Sequence, residues 1–356
     1  MTERKPGLDI IRILGLLFVN GIHFFLYNGF YSARQEGASL LVANTARWLF
    51  YGCNCLFMIL TGYLKCHKTL SKRYYRSIVP ILIGYFLYCA IAFPIYHFLL
   101  NDPQTFGGWL DRMVTFGNYA WYLEMYIGLF MIAPFLNLAI NGLKTKAQLL
   151  WLNVTMISVT ILYTVSTLNV LPDYWGAMYP ITCYVVGATI RKLDLKLHPL
   201  LGIGGSLLSA LFLGLLTIFT TEDREVFNDG YTVGYGGIYV VIMMAFLVIG
   251  LHHVKLGRRT SKVLAFFSGG VLEGYMLSRL WDVWVYYKFP QWRNPEHWLL
   301  LFVAVTIPIF LTSLIAGKGV HTVSGLLTKL ILPKGKKPAP TETTPAPDAQ
   351  TAATEV

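Results

Sequence analysis

Of the 356 residues, 55% are apolar and only 13% charged, which excludes an ordinary water-soluble domain and points to a chain solvated largely by lipid. The formal charge of +11 does not indicate a nucleic-acid partner, because the basic residues are spread over alternate loops rather than gathered on one face. The five cysteines, Cys53, Cys55, Cys66, Cys89 and Cys183, lack zinc-ligand spacing and read as small buried hydrophobes, so neither a metal nor a disulfide is expected.

A helix needs about 20 mostly apolar residues to cross a hydrocarbon core of roughly 30 Å. Ten such runs follow one another, near 8–28, 41–64, 77–99, 119–140, 148–168, 174–190, 200–220, 233–254, 263–285 and 297–317. The first is interrupted by Arg12 and followed by no small-residue cleavage site, so it is expected to remain as a membrane helix. The acidic 220–232 segment reads as a solvated connection. Gly202 to Gly205, in the seventh run, suit close helix packing rather than phosphate binding. After the tenth run, residues 334–356 are rich in Pro, Ala and Thr and read as a disordered cytoplasmic tail beyond a transmembrane unit spanning 1–333.

Basic residues orient the runs, since short cytoplasmic loops collect Lys and Arg. Most of the 29 fall on one side: Arg4 and Lys5, the Lys65 to Arg76 group, Lys144 and Lys146, Arg191 to Lys196, Lys255 to Lys262, and Lys318 onward. The expected fold is therefore an all-α integral membrane protein of about ten transmembrane helices with both termini cytoplasmic, in the inner or cytoplasmic cell membrane.

Ionisable groups at bilayer depth are costly unless they are paired or face a cavity, so each is a functional hypothesis. They are Asp9, Arg12 and His23 in the first run, Glu124 in the fourth, and Glu273, Arg279 and Asp282 in the ninth. Arg12 and His23 are eleven residues apart, which leaves them about 20° apart around a helix and roughly 16 Å apart along it. Asp9 and Asn20 extend the same stripe. A cation at the cytoplasmic end and an imidazole deep in the membrane suit a long anionic ligand such as coenzyme A, whose phosphates need Arg or Lys and whose thioester must reach a base. The plainer reading makes Arg12 a snorkelling cation and His23 a satisfied polar group in a bundle.

The segment from Leu8 to Phe25, LDIIRILGLLFVNGIHFF, resembles the first helix of the membrane-bound acyltransferase-3 family, in which a basic residue, ten others and a His follow in order. LFMILTGYL from Leu56 to Leu64 is similar to the family's second helix, Arg73-Tyr74-Tyr75-Arg76 with Pro80 to its Arg-x-x-Arg signature, and Trp121-Tyr122-Leu123 with Gly128 and Pro134 to its fourth helix. One departure stands out: many members carry Tyr-Leu-x-His late in the chain, whereas Tyr275-Met276-Leu277 is followed here by Ser278. The role of that second His is either lost or taken by Glu273, Arg279 or Asp282.

The resemblance implies an O-acyltransferase that moves an acyl group, usually acetyl from acetyl-CoA, onto a hydroxyl of an extracytoplasmic or lipid-linked sugar. It makes His23 the catalytic residue and puts Arg12, Arg73 and Arg76 on the donor side, although Arg73 and Arg76 also satisfy ordinary cytoplasmic charge bias. Glu124 is expected at the depth of His23, where it either orients the imidazole or faces the external interface. Trp121 and Tyr122 suit stacking against a sugar or anchoring at the membrane interface. Direct transfer and an acyl-histidine intermediate both remain open, as does oligomeric state. The competing class is a secondary transporter or flippase of a lipid-linked sugar, for which duplicated halves and paired broken helices are missing.

Overall fold

Within a bilayer the backbone has no water to bond, so apolar runs satisfy their N–H and C=O groups internally as helices. The computed structural model describes residues 5–32, 37–100, 105–115, 117–165, 173–220, 237–293 and 297–332, and it is helical throughout, with no strand among the described residues. The helices are α1 (Pro6–Tyr27), α2 (Gly37–Tyr51), α3 (Cys53–Lys65), α4 (Lys72–Arg76), α5 (Val79–Pro94), α6 (Phe106–Val114), α7 (Gly117–Gly142), α8 (Lys146–Thr160), α9 (Tyr179–Lys192), α10 (Pro199–Thr220), α11 (Ile238–Leu251), α12 (Arg258–Ser268), α13 (Val271–Lys288), α14 (Trp298–Leu301) and α15 (Ile307–Ile331).

Among the described residues five stretches are long and apolar enough to cross a membrane: Pro6–Tyr27, Lys72–Leu99, Ala120–Gly142, Pro199–Thr220 and Trp298–Ile331. Leu200, Leu208 and Leu330 are 71%, 68% and 79% exposed on such stretches, an outward apolar surface that lipid solvates and water does not.

Several runs are divided in ways that composition conceals. The second is broken at Gly52 into α2 and α3. The ninth is not one helix from 263: α12 starts on the basic Arg258, Arg259 and Lys262, and α13 starts only after Gly269 and Gly270. The tenth continues to Ile331, and the helix of the fifth stops at Thr160. Residues 166–168 and 233–236, the acidic segment from 221 and the tail at 334–356 lie outside the described residues.

α1 occupies the middle of the bundle, packed against α2, α3, α12, α13 and α15. Its buried residues, among them Leu8, Ile11, Leu16, Val19 and Phe25, do not form a single stripe, as befits a helix enclosed by others. Several crossings need glycine, and two of them bear on the expectations above and on the site. A methyl group on Gly202 would lie 2.5 Å from Gly250 Cα, which locks α10 to α11 and fits the packing role read from the sequence. One on Gly317 would lie 2.4 Å from Gly274 N, so α13 and α15 touch backbone to backbone. That second contact fixes the height and rotation of the helix carrying Glu273, Arg279 and Asp282.

Candidate active site

Pro6, in the first turn of α1, pre-sets the helical φ, and Asp9 one turn later complements the positive end of the helix dipole. Asp9 Oδ1 accepts from Arg12 Nη1 at 2.9 Å and from Ser268 Oγ at 2.6 Å. It thereby ties α1 to the α12–α13 junction while the Arg12 side chain stays 30% exposed. Asn20 is buried and donates to Leu16 O of its own helix at 2.9 Å.

His23 lies near the far end of α1. Its Nδ1 is 2.8 Å from Asp282 Oδ2 on α13, with the His side chain 16% and the Asp side chain 2% exposed. A carboxylate accepts only, so against an ionised Asp282 the imidazole Nδ1 donates, and in the neutral ring Nε2 is then the nitrogen with the free lone pair. The Tyr27 ring stands edge-on to His23 at 6.1 Å and stacks on Tyr286 at 6.0 Å, packing the dyad from the far side.

A cavity of about 390 Å³ opens beside α1. Arg12, Lys65, Glu273 and His321 line it near the N-terminal end of α1, and Val19, Asn54, Tyr122 and Tyr275 line it further along. Val19 is one helical turn before His23 and Tyr275 one turn before Arg279, so the cavity points at the dyad from about one turn away. Lys65 Nζ donates to Tyr126 OH at 2.7 Å and sits 4.6 Å from the centre of the Phe130 ring. At the same end Glu273 Oε1 is 2.9 Å from His321 Nδ1, while Oε2 is buried with no hydrogen-bond partner.

The structure brings together only part of the set expected from the sequence. Arg12 lines the cavity and His23 lies one turn beyond it. Tyr122 is buried in the cavity wall, its ring 5.7 Å from that of Tyr275, rather than standing at an outer interface. Trp121 is half-buried and outside the lining. Arg73 and Arg76 are exposed on α4 and do not line the cavity, whereas Tyr74 between them is buried, stacked on Phe130 at 4.4 Å.

Glu124 requires correction. It is exposed, and the carboxylate bonded to His23 is Asp282. Tyr122 and Tyr126 share the cavity face of α7, and a residue midway between them is turned about 200° from either, so Glu124 faces away. A signal for Asp282 was present in the sequence: the first and ninth runs leave the same side of the membrane, and His23 and Asp282 lie within a few residues of their far ends. Ser278, which stands where many relatives have His, is buried and donates to Tyr275 O at 2.8 Å; Asp282 is one turn further on. His321 was missed because it lies beyond the expected end of the tenth run.

These features define a multi-pass helical membrane protein with an acid–imidazole pair, its acid buried and its imidazole mostly so, just beyond a cation-lined cavity. Residues 5–318 match the family model described as an acyltransferase domain, that of acyltransferase-3, and the chain belongs to this family. It is a membrane acyltransferase. No curated protein and no solved structure matches the chain.

Proposed function

We propose that the protein is an O-acetyltransferase that carries an acetyl group from cytoplasmic acetyl-CoA to a hydroxyl of an extracytoplasmic or lipid-linked sugar. In this reading the chain crosses the cell membrane ten times with both termini cytoplasmic, a topology that the distribution of basic residues supports. The observation that carries the proposal is the alignment of Arg12, the cavity and the His23–Asp282 pair along one side of α1.

Arg12 and Lys65 hold donor phosphates at the cytoplasmic mouth, with Arg73 and Arg76 on the approach. The pantetheine arm lies in the cavity against Tyr122 and Tyr275. His23 Nε2 removes the proton of the sugar hydroxyl as its oxygen bonds to the thioester carbonyl carbon. The carbon–sulfur bond then breaks, and the same proton passes to the departing thiolate. Asp282 holds the Nδ1–H tautomer and balances the imidazolium while it exists.

Purified protein in lipid vesicles, given acetyl-CoA and a sugar acceptor, should release free thiol, and His23→Ala should abolish release while remaining inserted. Mass spectrometry of surface glycans from cells carrying the same two proteins should show one acetyl mass missing with His23→Ala. Sugar movement across vesicles without thioester consumption would instead favour a flippase.

A further inference from the structure

Arg279 is a membrane-depth cation that the steps above do not use. It sits on α13 between Tyr275, which lines the cavity, and Asp282, which holds His23. Its Nε is buried without a hydrogen-bond partner. The groups within electrostatic reach of the guanidinium are Tyr27 on α1, Tyr88 on α5, Tyr96 on the turn after α5, Tyr275, and Asp282 as the one carboxylate among them. Asp282 Oδ2 is already committed to His23 Nδ1, so the guanidinium retains donor capacity.

Two helical registers set where this capacity is spent. Val19 to His23 on α1 and Tyr275 to Arg279 on α13 are both steps of four residues, one turn on one face. A chain threaded along the cavity past Val19 and Tyr275 next meets His23 on one side and Arg279 on the other. Before reaction Asp282 and Arg279 offset each other. During reaction His23 gains a positive charge and the carbonyl oxygen a negative one, and each new charge finds its opposite already in place.

Resting on the acyl-transfer reading, we propose that Arg279 is a catalytic residue that donates to the thioester carbonyl oxygen and stabilises the oxyanion formed there. When the sugar oxygen bonds to the carbonyl carbon, the C=O π pair moves to this oxygen beside the guanidinium. When the pair returns, the carbon–sulfur bond breaks and the thiolate leaves with the proton carried by His23. No other reactant is needed.

The test uses the full-length protein in vesicles with acetyl-CoA and a sugar acceptor. Arg279→Gln should lower kcat about 100- to 1,000-fold, the loss typical of one oxyanion donor, with KM for acetyl-CoA changed less than about threefold. Arg279→Lys keeps a charge without the planar fork and should fall between. Arg279→Ala should regain activity with added guanidinium ion, which a purely packing role would not show. The proposal is overturned if Arg279→Gln stays within about tenfold of wild type in kcat, if its loss lies wholly in KM for either substrate, or if folded Arg279→Ala is not rescued. Should wild type itself release no thiol from acetyl-CoA, the acyl-transfer reading fails first and is recognised by that result.

Discussion

Replacing Asp282 by Asn tests whether the buried carboxylate works electrostatically or merely packs. The substitution keeps the shape of the side chain and removes its charge, 2.8 Å from His23 Nδ1. In the proposed reaction His23 takes the acceptor proton, and imidazolium and carboxylate charges then lie about 4 Å apart, centre to centre. At an effective dielectric of about 20 their attraction is about 4 kcal/mol, or roughly a thousandfold in rate. An amide can also present its NH2 to Nδ1, which puts the proton on Nε2 and removes the base. Both effects act in the same direction, so Asp282→Asn should lower kcat by about a thousandfold or more. The assay is thiol release from acetyl-CoA by purified protein in vesicles, normalised to inserted protein by size exclusion. Activity within tenfold of wild type would refute the acid–imidazole reading of the site.

Glu124→Gln should change the rate less than about twofold, because the side chain is exposed and turned from the cavity; a hundredfold loss in the same assay would return Glu124 to the mechanism. Lys65→Met should raise KM for acetyl-CoA about tenfold or more with little change in kcat, consistent with losing one charge-assisted contact at the mouth; titrating the donor separates the two constants. Gly317→Leu should lower the thermal midpoint in detergent markedly, since even a methyl group would meet Gly274 N at 2.4 Å.

The helical membrane character was legible because it depends on composition and run length, both local properties. The break at Gly269–Gly270 was not, because the amphipathic α12 contributes Phe266 and Phe267 to the same apolar run as α13. In the site, the Arg12–His23 register was readable from one helix. The partner of His23 required the rotation of a second helix, and spacing within α7 alone could not say which of its faces meets α1. Tyr122 and Tyr126 in the cavity wall leave Glu124 on the opposite, exposed face of α7, whereas α13, held by the Gly274–Gly317 contact, turns Asp282 inward.

Burial also explains why the dyad belongs at this depth. An ionised carboxylate in a dry bundle is tolerated only with compensation, and Asp282 has His23 bonded to it and Arg279 within electrostatic reach. In water, solvent would weaken the attraction between Asp282 and a protonated His23, and the same side chains would make a poorer base. The Glu273–His321 pair offers an internal control. It likewise joins a carboxylate to an imidazole, a glutamate in place of the aspartate, at 2.9 Å, but the His side chain is 42% exposed at the cation-lined end of the cavity. Substituting Glu273 by Gln should therefore alter donor affinity more than turnover, the reverse of Asp282→Asn. If both changes instead depress kcat equally, the division of the cavity into a donor-binding end and a reacting end is wrong.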